Sequence, residues 1–177
     1  SPVRNMKSVG IIYNARIPEA LDLGTAILHQ IPLPEGSWIS PAENLEALRE
    51  RAEQTGLVIT VGGDGTILRA IQVTAPSGIP IVGINMGRLG FMTELQVHEA
   101  LERLPLYFNG ECRVEARNML QARVIKGEAG LGPGEKGPYH ALNDVVLARG
   151  AVSRVVTVIG YVDGAQLTTF RADAVIL

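Results

Sequence analysis

"LVITVGGDGTILRA" (residues 57–70) runs an apolar, β-branched stretch straight into three glycines set around one aspartate, and then into the helix-like Ile67-Leu68-Arg69-Ala70. An apolar run without alternation reads as a strand covered on both faces, as in a parallel sheet. A loop that leaves such a strand and enters a helix gathers free backbone N–H groups and the positive end of the helix dipole at one spot, which suits an anion. Glycines let a phosphate approach the backbone closely. The stretch is not a Walker loop, because no Gly-Lys-Ser/Thr follows, and not the Rossmann fingerprint, because Leu68 stands where the third glycine belongs. An aspartate inside a phosphate cradle is repelled by its ligand unless it has a task, such as holding a divalent cation or taking a proton from an attacking hydroxyl. The plainer reading is a strand-to-helix turn in which Asp64 caps the helix. On these residues alone both readings stand.

Working outward, "SVGIIY" (8–13) and "IPIVGI" (79–84) read as further buried strands. "PEALDLGTAILHQI" (18–31), with Pro18 near its start, and "QVHEALERLPLYF" (96–108) read as helices. "SPAENLEALRERAEQ" (40–54) is expected to be a helix capped by Ser40, with Pro41 at its first position. Alternating strands and helices indicate a three-layer α/β unit with an open, mostly parallel sheet. Strands near 8–13, 57–61 and 79–84 are expected as parallel neighbours, with the loops at 62–66 and 85–90 opening on one crevice at their carboxyl ends.

The pattern changes near Asn109-Gly110. Beyond it "RVEARNMLQARVIK", "ALNDVVLARG", "RVVTVIGYV" and "AQLTTFRADAVIL" read as successive strands, with a hairpin turn at Asp163-Gly164. "KGEAGLGPGEKGP" (126–138) reads as a glycine-rich loop. The expected layout is an α/β domain over 1–110 carrying the GGDG loop, then an antiparallel β domain over 111–177. That second domain is expected to be incomplete, because "RADAVIL" stops inside a strand pattern.

The bulk numbers restrict the function. With 46% hydrophobic and 19% charged residues the chain has the composition of a globular protein. A net charge of -2 and only 5% aromatics speak against nucleic acid or an anionic membrane as partner. Cys112 is the single cysteine, and no run approaches a membrane span, so a cytoplasmic protein is expected. His29, His98 and His140 are scattered, without carboxylate or cysteine at metal-ligand spacing, and read as structural or surface residues.

Two more stretches carry chemistry. "GINMGRLGFMTEL" (83–95) again piles glycines behind a buried strand. "ALNDVVLARG" (141–150) sets Asn143 and Asp144 together in an otherwise apolar strand, which is costly unless partners or a ligand satisfy them; a bulge or turn is the alternative.

"VGGDGT", "GINMGRLGFM", "ALNDVVLARG" and "VDGAQLTTFRADAVIL", in this order and spacing, resemble the NAD kinase family over nearly the whole chain. The GGDGT loop alone is shared with diacylglycerol and sphingosine kinases and is similar to a motif in phosphofructokinases, so the later motifs make the resemblance specific. It implies phosphorylation of the 2′-hydroxyl of the adenosine ribose of NAD, with ATP or polyphosphate as donor and a divalent cation, Mg²⁺, as cofactor. Asp64 matches the family's catalytic aspartate, Gly65 its loop neighbour, and Arg69 a basic ligand contact. Asn143 and Asp144 match a dinucleotide-contacting pair, usually Asn-Glu. Arg154, Arg171 and Asp173 fall at further dinucleotide contacts, and Phe91 at an aromatic or apolar wall near the adenine, with an ordinary core position as its alternative. The family's Thr-Pro-Thr-Gly-Ser-Thr-Ala-Tyr type segment does not follow "ADAVIL", and Ala174 stands where glycine is usual. Family members are commonly dimers or tetramers, so a homo-oligomer is implied. A lipid kinase sharing the loop and a non-catalytic nucleotide-binding fragment are the competing readings.

Overall fold

The computed structural model describes residues 7–87, 90–125, 136–148 and 155–177. Two compact units divide the chain, Ser1–Arg117 and Asn118–Leu177.

The first unit is a parallel sheet of β1 (Ser8–Tyr13), β2 (Trp38–Pro41), β3 (Thr55–Gly62), β4 (Ile81–Asn85) and β5 (Leu95–Gln96), in spatial order β2-β1-β3-β4-β5. Every neighbouring pair is parallel. Helices α1 (Pro18–Gln30), α2 (Leu45–Arg51), α3 (Asp64–Ser77) and α4 (Val97–Phe108) connect or follow the strands. The burial pattern explains the continuous apolar strands. Val9, Ile11, Ile59, Val61, Val82 and Ile84 turn to one face, where Ala20 and Ile27 of α1 and Ala100 and Leu104 of α4 cover them. Ile12 and Val58 turn to the other, against Leu48 of α2 and Ala70 and Val73 of α3. Each fully buried branched side chain contributes about 1.5–3 kcal/mol relative to exposure.

Trp38 shows how closely the second face is packed. It pairs with Gly10, and a Cβ there would lie 2.6 Å from its ring, so only glycine admits the indole. The ring is buried, with Nε1 donating to Thr55 Oγ1 at 3.4 Å and the Arg51 guanidinium 5.2 Å from its centroid.

One expected element is displaced. Ser40 and Pro41 end the edge strand β2 rather than opening a helix, and α2 begins at Leu45 with the Asn44 side chain accepting from Ala47 N. Ser-Pro suits a helix start, but a proline also suits the end of an edge strand, where it withholds no ladder hydrogen bond.

In the second unit, β6 (Leu120–Val124) pairs with β7 (Lys136–Ala141), β8 (Val146–Ala148) with β11 (Ala174–Ile176), and β9 (Val156–Val162) with β10 (Ala165–Ala172), all antiparallel. Asp163 and Gly164, with φ of 50° and 81°, close the β9–β10 hairpin as their sequence requires. The stretch 113–119 is not a strand, so that part of the expected element is shorter. Of the glycine-rich loop, 126–135 lie outside the described residues, and Lys136–Pro138 belong to β7.

Candidate active site

Strand order reverses between β1 and β3, and an open α/β sheet forms its ligand crevice at the carboxyl ends of the strands at such a point. Three strand ends meet there. Asn14 N donates to Val61 O at 2.9 Å, tying the end of β1 to β3, and Met86 N donates to Gly62 O at 2.7 Å, tying β4 to the glycine loop. The loops following β3 and β4 therefore open at one edge, as their glycines suggested.

Helix α3 starts with Gly63 as its N-cap and Asp64 at its first position; no side chain caps it. Asp64 instead sends its carboxylate across to the loop after β4. Oδ2 accepts Phe91 N at 2.9 Å, and Oδ1 accepts Met92 N at 3.1 Å. The side chain is half-buried, and its charge sits where the helix dipole favours an anion. A carboxylate has about four lone-pair sites, so two remain for a proton or a cation.

Gly65 and Arg69 are exposed on the first turns of α3. With Thr66 they line a small cleft, closed on its other side by Asn14, Arg16 and Glu43. Arg16 was not singled out in the sequence, although it lies three residues past the end of β1. Its N–H is received by Asn14 Oδ1 at 3.0 Å, a local turn that holds the two residues together. Neither Arg16 nor Arg69 has a carboxylate partner among the described residues. A roomier concavity of about 630 Å³ lies at the amino ends of β3 and β4, beside Lys7, Glu53, Thr55 and Pro80, away from the glycine loops.

Beneath the crevice Glu94 receives Gly83 N on Oε2 at 2.7 Å. Although the residue is exposed overall, its carboxyl end is partly withdrawn from water. That burial raises its pKa above the ordinary 4.5, against the lowering effect of the Gly83 N–H. Phe91 is 98% exposed, so its ring has no place in the core.

In the second unit the structure decides between the two readings of Asn143 and Asp144 in favour of the turn. They lie in a bend between β7 and β8, not inside a strand, and both are exposed. Two adjacent polar side chains favour a bend that keeps them in water over a ladder that would bury one of them. Arg171 is exposed on β10 opposite Thr157, and Asp173 is exposed between β10 and β11. Val145 pairs with Leu177 and Ala148 with Ala174, so Asp144 and Asp173 stand at opposite ends of the β8–β11 ribbon. At about 3.3 Å per residue that separation is roughly 16 Å. Arg154 lies outside the described residues.

Among the described residues no three His, Cys, Asp or Glu side chains are grouped so as to hold a metal ion, and no helix is long and apolar enough to cross a membrane.

Residues 26–112 match the family model for the ATP-NAD kinase N-terminal domain. A protein named NAD kinase from Heliobacterium modesticaldum is 37% identical over 180 residues, covering 97% of this chain and 62% of its own length. One from Moorella thermoacetica is 42% identical over 181 residues, covering 97% and 56%. The chain thus spans less than two thirds of the length of these curated relatives. The crystal structure of yeast NADH kinase complexed with NADH shares the fold, with a TM-score of 0.69 at 21% identity over 97% of this chain and 57% of that one. A diacylglycerol kinase from Bacillus anthracis resembles it less, with a TM-score of 0.51 at 16% identity over 97% and 64%. Motif order, the parallel sheet with its GGDG crevice, and relatives that share one name converge, and residues 26–112 carry the N-terminal domain of the NAD kinase family.

Proposed function

We propose that this chain forms the catalytic part of a cytoplasmic NAD kinase that transfers the terminal phosphoryl group of ATP, or of polyphosphate, to the 2′-hydroxyl of the adenosine ribose of NAD. The observation that carries the reading is the Asp64 carboxylate, held at the start of α3 inside the glycine crevice with lone pairs left free. In the transfer the ribose oxygen bonds to phosphorus, the bond from that phosphorus to the leaving phosphate oxygen breaks, and Asp64 takes the hydroxyl proton. The donor phosphates lie against Gly65, between Arg69 and Arg16, whose guanidinium groups offset their charge.

The divalent cation, Mg²⁺, fits this setting without a protein cage. It keeps waters and phosphate oxygens as ligands and needs only one or two carboxylates, a part open to Asp64. When bound it neutralises charge on the transferring group.

The segment 111–177 supplies the dinucleotide contacts. Asn143 and Asp144 at one end of the β8–β11 ribbon, and Asp173 at the other, suit the two halves of one extended dinucleotide, with Arg171 and Arg154 serving its phosphates. The exposed Phe91 ring offers a stacking surface for adenine. A homo-oligomer, dimer or tetramer, completes the proposal.

The test is phosphoryl transfer by the full-length gene product, with NAD and diacylglycerol as rival acceptors, and the same assay on Asp64→Asn. NAD is expected to be the acceptor. The variant should lose about 10²–10⁴ in kcat while still binding NAD. Wild-type turnover in Asp64→Asn reduces the aspartate to a turn residue, and transfer to diacylglycerol alone overturns the substrate.

A further inference from the structure

The Asp64 carboxylate is oriented from outside its own helix. Its two oxygens are divided between consecutive backbone donors, Oδ2 on Phe91 N at 2.9 Å and Oδ1 on Met92 N at 3.1 Å. Residue 90 lies directly against the same group, and a Cβ built there would collide with Asp64 Oδ1 and Cγ. A bidentate grip by two adjacent N–H groups fixes both the position and the plane of a carboxylate. One hydrogen bond would leave the plane free to turn about the Cβ–Cγ axis. Because the donors are backbone groups, no side-chain change at 91 or 92 short of proline removes them. A methyl group at 90 would disturb the grip without cutting it.

We infer that the 90–92 backbone is the positioning element for the catalytic aspartate, and that residue 90 is glycine to leave room for the carboxylate. The inference rests on the kinase reading for its functional meaning and on hydrogen-bond geometry for its structural meaning. Phe91 thus carries an almost fully exposed ring on the same residue whose N–H holds Asp64.

Gly90→Ala in the full-length protein tests this. The carboxylate must yield to the methyl group, and a displacement near 1 Å in a reacting group costs about 10²-fold in rate. The expected result is a kcat about 10²-fold lower, with KM for NAD and for ATP within threefold and the thermal midpoint little changed. A structural role alone would lower the midpoint and leave the kcat of the folded fraction intact. A raised KM at unchanged kcat would make Gly90 a substrate-contact position and overturn the inference. A kcat within threefold of wild type would do the same.

A second measurement stands even if Gly90→Ala does not fold. The amide protons of Phe91 and Met92, which donate to an anion, should resonate downfield in the wild type and move upfield together in Asp64→Asn. Unmoved amide resonances refute the grip. Absence of NAD phosphorylation by the wild type, with the amide shifts as expected, would defeat the kinase reading and leave the geometry standing.

Discussion

Thr60 sits in the centre of β3, between Ile12 of β1 and Gly83 of β4, at 1% exposure. Its hydroxyl has no hydrogen-bond partner among the described residues. A hydroxyl taken from water without replacement costs about 1–3 kcal/mol. Valine has the same branching and shape with a methyl group in place of the hydroxyl, and keeps the stiff χ1 that strands favour. Thr60→Val should therefore stabilise the protein, against the usual trend for core substitutions. Small shifts of neighbouring atoms partly relieve the cost in the native protein, so the low end applies, about 1 kcal/mol. For a unit of this size that raises the thermal midpoint by roughly 3–5 °C. Urea unfolding followed by circular dichroism should show a higher midpoint at unchanged slope, the mark of altered stability rather than altered denatured-state compactness. A loss of about 1 kcal/mol or more would mean that the hydroxyl is bonded, and the packing argument for this strand would fall.

Two other predictions concern charge. Burial raises the Glu94 carboxyl above its ordinary 4.5, so the folded state holds this proton to higher pH than the unfolded chain. Its contribution to stability is therefore lost as pH climbs from about 4.5 through the raised value. Glu94→Gln keeps an acceptor for Gly83 N, so its stability relative to wild type should grow with pH across that window; a flat difference in pH-dependent melting would count against it. Arg16→Ala, with Arg16 facing Arg69 across the Gly65 cleft, should raise KM for the phosphoryl donor roughly 10–100-fold, the worth of a hydrogen bond to a charged group, and leave KM for NAD nearly unchanged. Equal rises in both constants would remove it from the donor site.

The sequence made the parallel strands legible because buried β-branched runs have few other uses, and the hairpin at Asp163-Gly164 because its turn demands positive φ. The start of α2 was not legible. Ser40-Pro41 signals a helix start and a strand end equally, and the choice depends on β1 offering Ile12 and Tyr13 as pairing partners. Asp64 could be singled out from its glycines. The direction of its carboxylate could not, because its partners lie 27 and 28 residues along the chain and are backbone N–H groups that every residue type but proline carries. Arg16 was missed for a related reason, since an arginine just past a strand carries no signal until the fold brings it opposite Arg69. The Asn143-Asp144 pair left a strand and a turn equally open, because its apolar flanks suit the first and its two adjacent polar side chains the second.

The indole wedged over Gly10 has a practical use. Trp38 is the sole tryptophan, buried in the α/β unit, while the four tyrosines are Tyr13 and Tyr107 in that unit and Tyr139 and Tyr161 in the other. Light absorbed by indole alone thus reports on the sheet that carries the glycine loops and is blind to the β unit. Its emission should be that of a shielded ring and should move to longer wavelength only when the α/β unit opens. Compared with far-ultraviolet dichroism, which sees both units, the same titration would show from a single native fluorophore whether the two halves melt together or in turn.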